Sequence, residues 1–434
     1  MRSAAQDDDE VKLTVMSFEE ARDRILSTVA LMESESVEIL DSLGRVTAED
    51  VIAPLNLPSF DNSAMDGYAV RVADCNAFEA LTITGNIPAG GSTTAELTRG
   101  SAIRIMTGAP IPHGCDAVVP LEETEDTGNH VQIHVAPHPG QHIRWAGEDV
   151  KLGETVLPAG TLIRVTAISM LASMGRTQVR VYRKPIVAIL ATGDELVEPG
   201  QPLPEGKLFN SNSPALAAAV CEAGAVPLIL GVARDDREHL RQRITLGLQA
   251  DALITAAGVS VGDCDFVRET LAGLGVKQLL GKVNMKPGKA MTFGVKDGKP
   301  VFSLPGNPVS AIITFEKMVR PALLKMMGHR QVTTPLVTAI LQEELRKKPG
   351  KIFFARVRLK IAEGKFLAWS AGHQDTGFLK TMLQADALAV LPAERTSFSA
   401  GEEIDVHILS QAPGMLEPCP AEHLAELDSS PRTA

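Results

Sequence analysis

Four apolar runs from Pro185 onward each end in a loop that could do chemistry. PIVAIL leads into ATGDEL with Asp194 and Glu195, VPLILGV into ARDD with Asp235 and Asp236, DALIT into AAGVSVGDCDF with Asp263 and Asp265, and KPVFSL into PGNPVSA. If these runs are strands of one sheet, three strand ends offer carboxylates along one edge. Converging carboxylates repel unless a cation neutralises them, so the pattern fits a Mg²⁺-type site with oxygen ligands and several waters. The competing reading is that each acidic residue caps the helix that follows it.

Basic and backbone groups lie close by in sequence. KVNMKPGKAMTFG places Lys282, Lys286 and Lys289 just ahead of the strand leading to LPGNP. Beside a carboxylate cluster they describe a phosphate or oxyanion pocket with a metal counterion, or else solvated surface lysines. In LPGNPVSA, Asn307 suits a helix N-cap and Pro308 the first helical position, where free N–H groups attract anions. GVSVG, 258–262, is glycine-rich after a strand but is neither a P-loop nor GxGxxG; close approach to a ligand and a plain turn both remain open.

Three further clusters stand apart. SFDNSAMDGYAV, 59–70, gathers Asp61, Asn62, Ser63 and Asp66 ahead of Gly67 and Tyr68; such clusters make turns as readily as sites. RIMTGAP holds Thr107 before a glycine and a proline. FARVRL sets Arg356 and Arg358 on one face of a strand by period-two geometry, where arginine is usually solvated, and GHQDTG contains His373, expected in a hydrogen-bonded structural role. No Ser/His/Asp order, metal-binding histidine pair or catalytic cysteine context is present.

Positioning these loops takes several domains. A chain of 434 residues exceeds one ordinary core. A capping box, Ser17 with Glu20, predicts a first helix carrying Ile25, Val29 and Leu31. From Val51 to about Asp149 short β-prone pieces separated by Gly and Pro predict a β-rich module, 51–148, inserted into a helical unit formed by 15–50 and 149–183. From Pro185 strand-helix alternation predicts a parallel sheet covered on both faces, 184–330. Its ligands belong beyond the carboxyl ends of the strands. Residues 331–411 read as a small all-β domain, and 1–14 and 412–434 as poorly ordered.

Composition narrows the class. With 44% hydrophobic and 22% charged residues the chain is ordinary globular material. Acidic residues outnumber basic ones 53 to 42, and a formal charge of −11 argues against a general nucleic-acid surface. Five widely spaced cysteines without a CxxC pair suit a reducing compartment. The acidic N-terminus is unlike a secretory signal, and no apolar run approaches a membrane span, so a cytoplasmic protein is expected.

FDNSAMDGYAV, IRIMTGAP, TGDEL, GVSVGDCDF, KPGK, LPGNPVSA and GHQ, in this order and spacing, resemble the MoeA family of molybdopterin molybdenumtransferases across about residues 15–410. The likeness extends to the gephyrin E domain. The resemblance implies a multidomain α/β fold: a three-layer parallel-sheet molybdopterin-binding domain, a β-rich module, a helical and extended linker domain and a C-terminal β-barrel. It implies insertion of molybdate into adenylylated molybdopterin with Mg²⁺-dependent release of AMP. It also implies a homodimer whose site joins the sheet and barrel domains of one subunit to the β module of the other, and transient contact with the preceding adenylylating protein and with molybdoenzyme maturation factors.

On that mapping Asp66 and Thr107 reach across the interface, and Asp66 matches a functional acidic position. Glu195, Asp235 and Asp265 match the acidic cluster at the metal. Lys282, Lys286 and Lys289 are substrate-binding, as are Gly258, Ser260, Pro305, Asn307 and Pro308, and Arg356 with Thr376 matches the molybdate pocket. Ala257 stands where the family commonly has glycine, Asn210 where it has aspartate, and Cys264 and Thr376 at variable positions. Two rivals are an enzyme of the preceding adenylylation step and a non-catalytic molybdopterin-binding scaffold; tungstate is a rival oxyanion of nearly the same size and charge.

Overall fold

The computed structural model describes residues 15–75, 80–92, 95–256 and 266–409. The expectations for 1–14, 412–434, Ala257, Gly258, Ser260, Asp263, Cys264 and Asp265 lie outside the described residues. The chain divides into two compact units, Ser36–Val181 and the remainder.

The inserted unit is built on a six-stranded sheet in the order Ala117–Pro120, Gly67–Val70, Ser101–Ile105, Leu81–Ile87, His130–Ile133, Thr124–Asp126. Only the Leu81–Ile87 and Ser101–Ile105 pair is parallel. Alternation along Gly67–Val70 sends Tyr68 and Val70 into one core and Ala69 into another, as period-two geometry requires. A third core joins Val51 and Ala53 to Ile163, Leu171 and Val181, so residues before and after the β-rich sheet pack together.

The larger unit holds a second six-stranded sheet, ordered Val226–Ala233, Ile186–Thr192, Ala252–Ala256, Lys299–Leu304, Thr292–Lys296, Lys277–Leu280. The first four strands are parallel. Val187 and Ile189 enter one core while Ala188 and Leu190 enter the other, so the unbroken apolar run is buried on both faces. At its far edge Thr292–Lys296 runs antiparallel to both of its neighbours, an exception the alternation does not signal. The cause is a tight hairpin: Asp297 and Gly298 take φ of 50° and 78°, a turn chemistry that reverses the chain within two residues.

The barrel is a closed ring of five strands, Ile352–Ala362, Lys365–Ser370, Val337–Leu341, Glu403–Ile408 and Ala387–Leu391, the last pairing back to the first. Closure leaves no free sheet edge. A short strand, Met285–Lys286, runs parallel to Ile352–Phe353 and ties the lysine segment to the barrel. The first helix, Phe18–Thr28, begins with the predicted box, Ser17 and Glu20 each satisfying the other's backbone N–H. It buries Phe18, Ala21 and Ile25 in the core of this larger unit, with Phe18 edge-on to Phe354 at 5.1 Å.

Candidate functional site

A cleft of about 770 Å³ opens beyond the carboxyl ends of the parallel strands, lined by Glu195, Asn210, Asn212, Pro305, Asn307 and Gly377 among others. Pro305, Asn307 and Pro308 of the LPGNP loop and Glu195 of TGDEL are therefore brought together at one cleft. Asn307 precedes a helix starting at Pro308, but its side chain does not cap that helix. Its amide donates instead to Thr376 Oγ1 at 3.0 Å, joining the sheet domain's loop to the barrel's GHQDTG loop.

The acidic loops separate into two roles. Asp236 is the N-cap of Arg237–Gly247, accepting from His239 N at 2.8 Å, so the capping reading holds for it. Asp235 and Asp194 brace one another: Asp194 N donates to Asp235 Oδ2 at 3.3 Å and Asp235 N to Asp194 Oδ1 at 3.2 Å. That exchange fixes two neighbouring strand ends with their carboxylates exposed. Gly193 shapes the position of Glu195. It has a φ of +135°, and a Cβ there would lie 2.3 Å from Glu195 Oε2. Gly193→Ala is therefore expected to swing the Glu195 carboxylate away and lower turnover by about tenfold or more, and, because a φ of +135° strains any residue with a Cβ, to lower the unfolding temperature as well. Parallel kinetics and thermal scans check this, and a fully active variant contradicts it.

Among the described residues no three His, Cys, Asp or Glu side chains gather into a ready-made metal site. Exposed oxygen donors at Asp235 and Glu195 nonetheless fit a hard ion that keeps most of its water and takes one or two carboxylates with substrate phosphates. Asn210 is fully used locally: its Oδ1 accepts from Ser213 N and its Nδ2 donates to Ser213 Oγ.

Arg356 departs most from its sequence expectation. It is 1% exposed, whereas Arg358, two residues along the same strand, is solvated. The difference comes from the GHQDTG loop, which folds over Arg356 alone. Arg356 Nη2 donates to the carbonyls of His373 and Asp375 at 2.9 and 3.0 Å. Gln374 fastens the loop by accepting from Arg356 N at 2.9 Å and donating to Arg356 O at 3.0 Å. His373 accepts from Asp375 N and packs against Phe378, the structural role expected for it. Burial pushes the guanidinium pKa down while Asp375 holds it up; arginine keeps its charge throughout. Its Nη1 is buried without a hydrogen-bond partner, a costly state for a charged donor unless an anion completes it.

The three lysines form a basic group with one member that sequence reasoning missed. Lys282, Lys286 and Lys289 are exposed, and Lys286 Nζ lies 5.2 Å over the Phe353 ring. The Lys351 pKa is lowered, first by burial and then by Lys289 and Lys286, so it stands beside them. Gly288 permits this loop: at φ +109° a Cβ would meet Thr314 Oγ1 at 2.5 Å. Asn212 was also missed. Its Nδ2 donates to Gly306 O at 2.7 Å and its buried Oδ1 has no partner.

In the inserted unit the SFDNSAMDG loop sorts itself likewise. Asp61 accepts from Ala146 N at 2.7 Å, Asn62 donates to Phe60 O, and Ser63 bonds Met65, all turn-building roles. Asp66 and Thr107 are brought together, with Thr107 N and Oγ1 both 2.7 Å from Asp66 Oδ1. Those bonds from the Thr107 backbone and hydroxyl hold the Asp66 carboxyl below the usual range, so it is ionised at neutral pH.

A multidomain α/β protein with exposed carboxylates at its parallel strand ends, a buried arginine on an adjoining barrel and a lysine loop is the class these features define. Its relatives agree. Residues 16–175 match the MoeA N-terminal region (domain I and II), 188–325 the probable molybdopterin binding domain, and 338–409 the MoeA C-terminal region (domain IV). The chain is 36% identical over 397 residues to a molybdopterin molybdenumtransferase of Haemophilus influenzae, covering 90% of this chain and 98% of that one. It is 37% identical over 383 residues to one of Nostoc sp., covering 86% and 88%. A crystal structure of the molybdopterin biosynthesis MoeA protein from Pyrococcus horikosii superposes with a TM-score of 0.80 at 30% identity, covering 92% of this chain and all of that one. The chain belongs to the MoeA family and is a transferase.

Proposed function

We propose that the protein inserts molybdenum into adenylylated molybdopterin, taking molybdate as substrate and releasing AMP, the last common step in making molybdenum cofactor. The unpartnered, buried Nη1 of Arg356 carries the reading. A buried guanidinium nitrogen lacking an acceptor suits a tetrahedral dianion, and the Thr376 hydroxyl, already positioned by Asn307, supplies a second contact. Two Arg356 ties to loop carbonyls hold the donor in place before the oxyanion arrives.

The other residues divide the remaining work. Lys282, Lys286 and Lys289, with Lys351, bind the phosphates of the adenylylated substrate, and Gly258, Ser260, Pro305, Asn307 and Pro308 complete its binding. Glu195 and Asp235, with Asp265, would hold Mg²⁺. When bound, that ion would neutralise phosphate charge and polarise the scissile phosphoanhydride. An acidic protein can thereby accept a strongly anionic substrate. The working form is a cytoplasmic homodimer in which Asp66, aligned by Thr107, closes the site of the other subunit as a charged acceptor. Transient contacts with the preceding adenylylating protein and with maturation factors would deliver substrate and remove product.

Following AMP release from adenylylated molybdopterin with molybdate and Mg²⁺ tests this reading, comparing the parent with Asp66→Ala. The parent should release AMP, and the dimeric variant should lose most of that activity. A folded parent that binds the substrate without releasing AMP would instead be a scaffold.

A further inference from the structure

The cleft at the strand ends holds a polar atom that no group of the protein answers. Asn212, the first residue of the helix Asn212–Glu222, lines that cleft and is 8% exposed. Among the described residues its Oδ1 is buried without a hydrogen-bond partner. We infer that this oxygen accepts a hydrogen bond from the amino-lactam edge of the substrate's pterin ring, which makes Asn212 a specificity-determining residue. The inference rests on the reading that adenylylated molybdopterin is the substrate.

The amide's other end settles its orientation. Nδ2 donates to Gly306 O at 2.7 Å, and a turned amide would set two oxygens against each other at that distance, so the orphaned atom is the acceptor. The other amides of the cleft are directed elsewhere. Asn210 Nδ2 donates to Ser213 Oγ at 3.0 Å and Asn307 Nδ2 to Thr376 Oγ1 at 3.0 Å. A buried acceptor left unmet is costly until a donor arrives.

Ligand chemistry narrows that donor. Molybdate and the substrate's phosphates present only oxygens at neutral pH, which another oxygen repels. Donors sit on the pterin, with its ring N3–H and 2-amino group, and on the adenosine, with its 6-amino group and ribose hydroxyls. A flat ring of either kind suits the walls, where Leu208 and Phe209 are exposed beside Pro305 and Pro308. Position decides between them. Gly306, which Asn212 holds, is followed directly by Asn307, which holds Thr376 of the loop covering Arg356. The oxyanion recess is therefore reached through the next residue of the same loop, and the pterin has to lie beside the oxyanion whose metal it receives, whereas the adenylyl group departs.

Calorimetric titration of the full chain with pterin, with adenosine, and with a pterin methylated at N3 and twice on its 2-amino group tests the assignment. The parent should bind pterin saturably and the methylated ring, which keeps no donor on that edge, about tenfold or more weakly. In Asn212→Ala the two pterins should bind within about twofold of each other, while adenosine and molybdate bind as they do to the parent. Asn212→Leu removes the acceptor but keeps the bulk, so its loss of the same selectivity excludes mere crowding of the methyl groups. The parent's own ranking decides the matter if neither variant folds. No pterin binding by the parent, equal binding of the two pterins, or selectivity retained in Asn212→Leu would each overturn the proposal. So would equal weakening of both pterins and molybdate in Asn212→Ala, the mark of a residue that only braces the loop, or a loss confined to adenosine, which would place the adenylyl end there. AMP release enters none of these readouts. A parent that selects pterin but releases no AMP would be a scaffold with this site intact, and one that releases AMP without selecting pterin would keep the function and lose the inference.

Discussion

Replacing Arg356 with alanine should lower molybdate-dependent AMP release by about 10²- to 10³-fold, the range for removing one preorganised charged donor. Binding of adenylylated molybdopterin should change little, because the phosphates are assigned to the lysines. The fold should survive, since the two bonds between Gln374 and residue 356 use only the backbone there. Arg356→Lys sharpens the test. An ammonium restores the charge but cannot bond two loop carbonyls and present a free N–H in one plane. It should recover only a small part of the loss. Equal loss of substrate binding and turnover in either variant would mean general disruption and would remove Arg356 from the oxyanion's recess.

Gly67→Ala should produce the largest stability loss. Gly67 lies in a central strand opposite Pro120, and an added Cβ would sit 2.0 Å from Val119 O and 2.8 Å from its carbonyl carbon. Both atoms are backbone, so relief requires the Ala117–Pro120 strand to move and surrender bonds to Gly67–Val70. A cost on the order of 3 kcal/mol is expected, read as a fall in the unfolding midpoint of the full chain. Gly85→Ala in the same sheet is the control. Its nearest neighbour, Ile103 Cγ2, would lie at 3.7 Å, an ordinary contact, so its midpoint should barely move. Equal effects of the two substitutions would show that close strand approach is not what Gly67 provides.

What could be read in the sequence depended on the range of the interaction. The Ser17 and Glu20 box is local, and it formed as the spacing predicts. The apolar alternation from Pro185 gave the buried strands, but the antiparallel edge followed from Asp297 and Gly298, a two-residue signal masked by its apolar neighbours. Within ARDD, composition could not separate Asp235 from Asp236; only the start of the helix at Arg237 makes one a cap and leaves the other at the strand end. Asn307 was rightly placed before a helix, yet its side chain answers to Thr376, 69 residues away. Arg356 was the hardest case. Its burial is imposed by a loop that closes over it from the next strand connection, and Gln374, which secures that loop, carries no local signature. Lys351 and Asn212 were missed because each joins its neighbours only through tertiary packing.

Molybdate binding at equilibrium tests the oxyanion recess at Arg356 most directly. Titrating molybdate into the parent and into Arg356→Ala, with pterin substrate absent from both, should give saturable binding to the parent and at least about tenfold weaker binding to the variant. Molybdate binding of equal strength in the two proteins would contradict the assignment and place the oxyanion elsewhere.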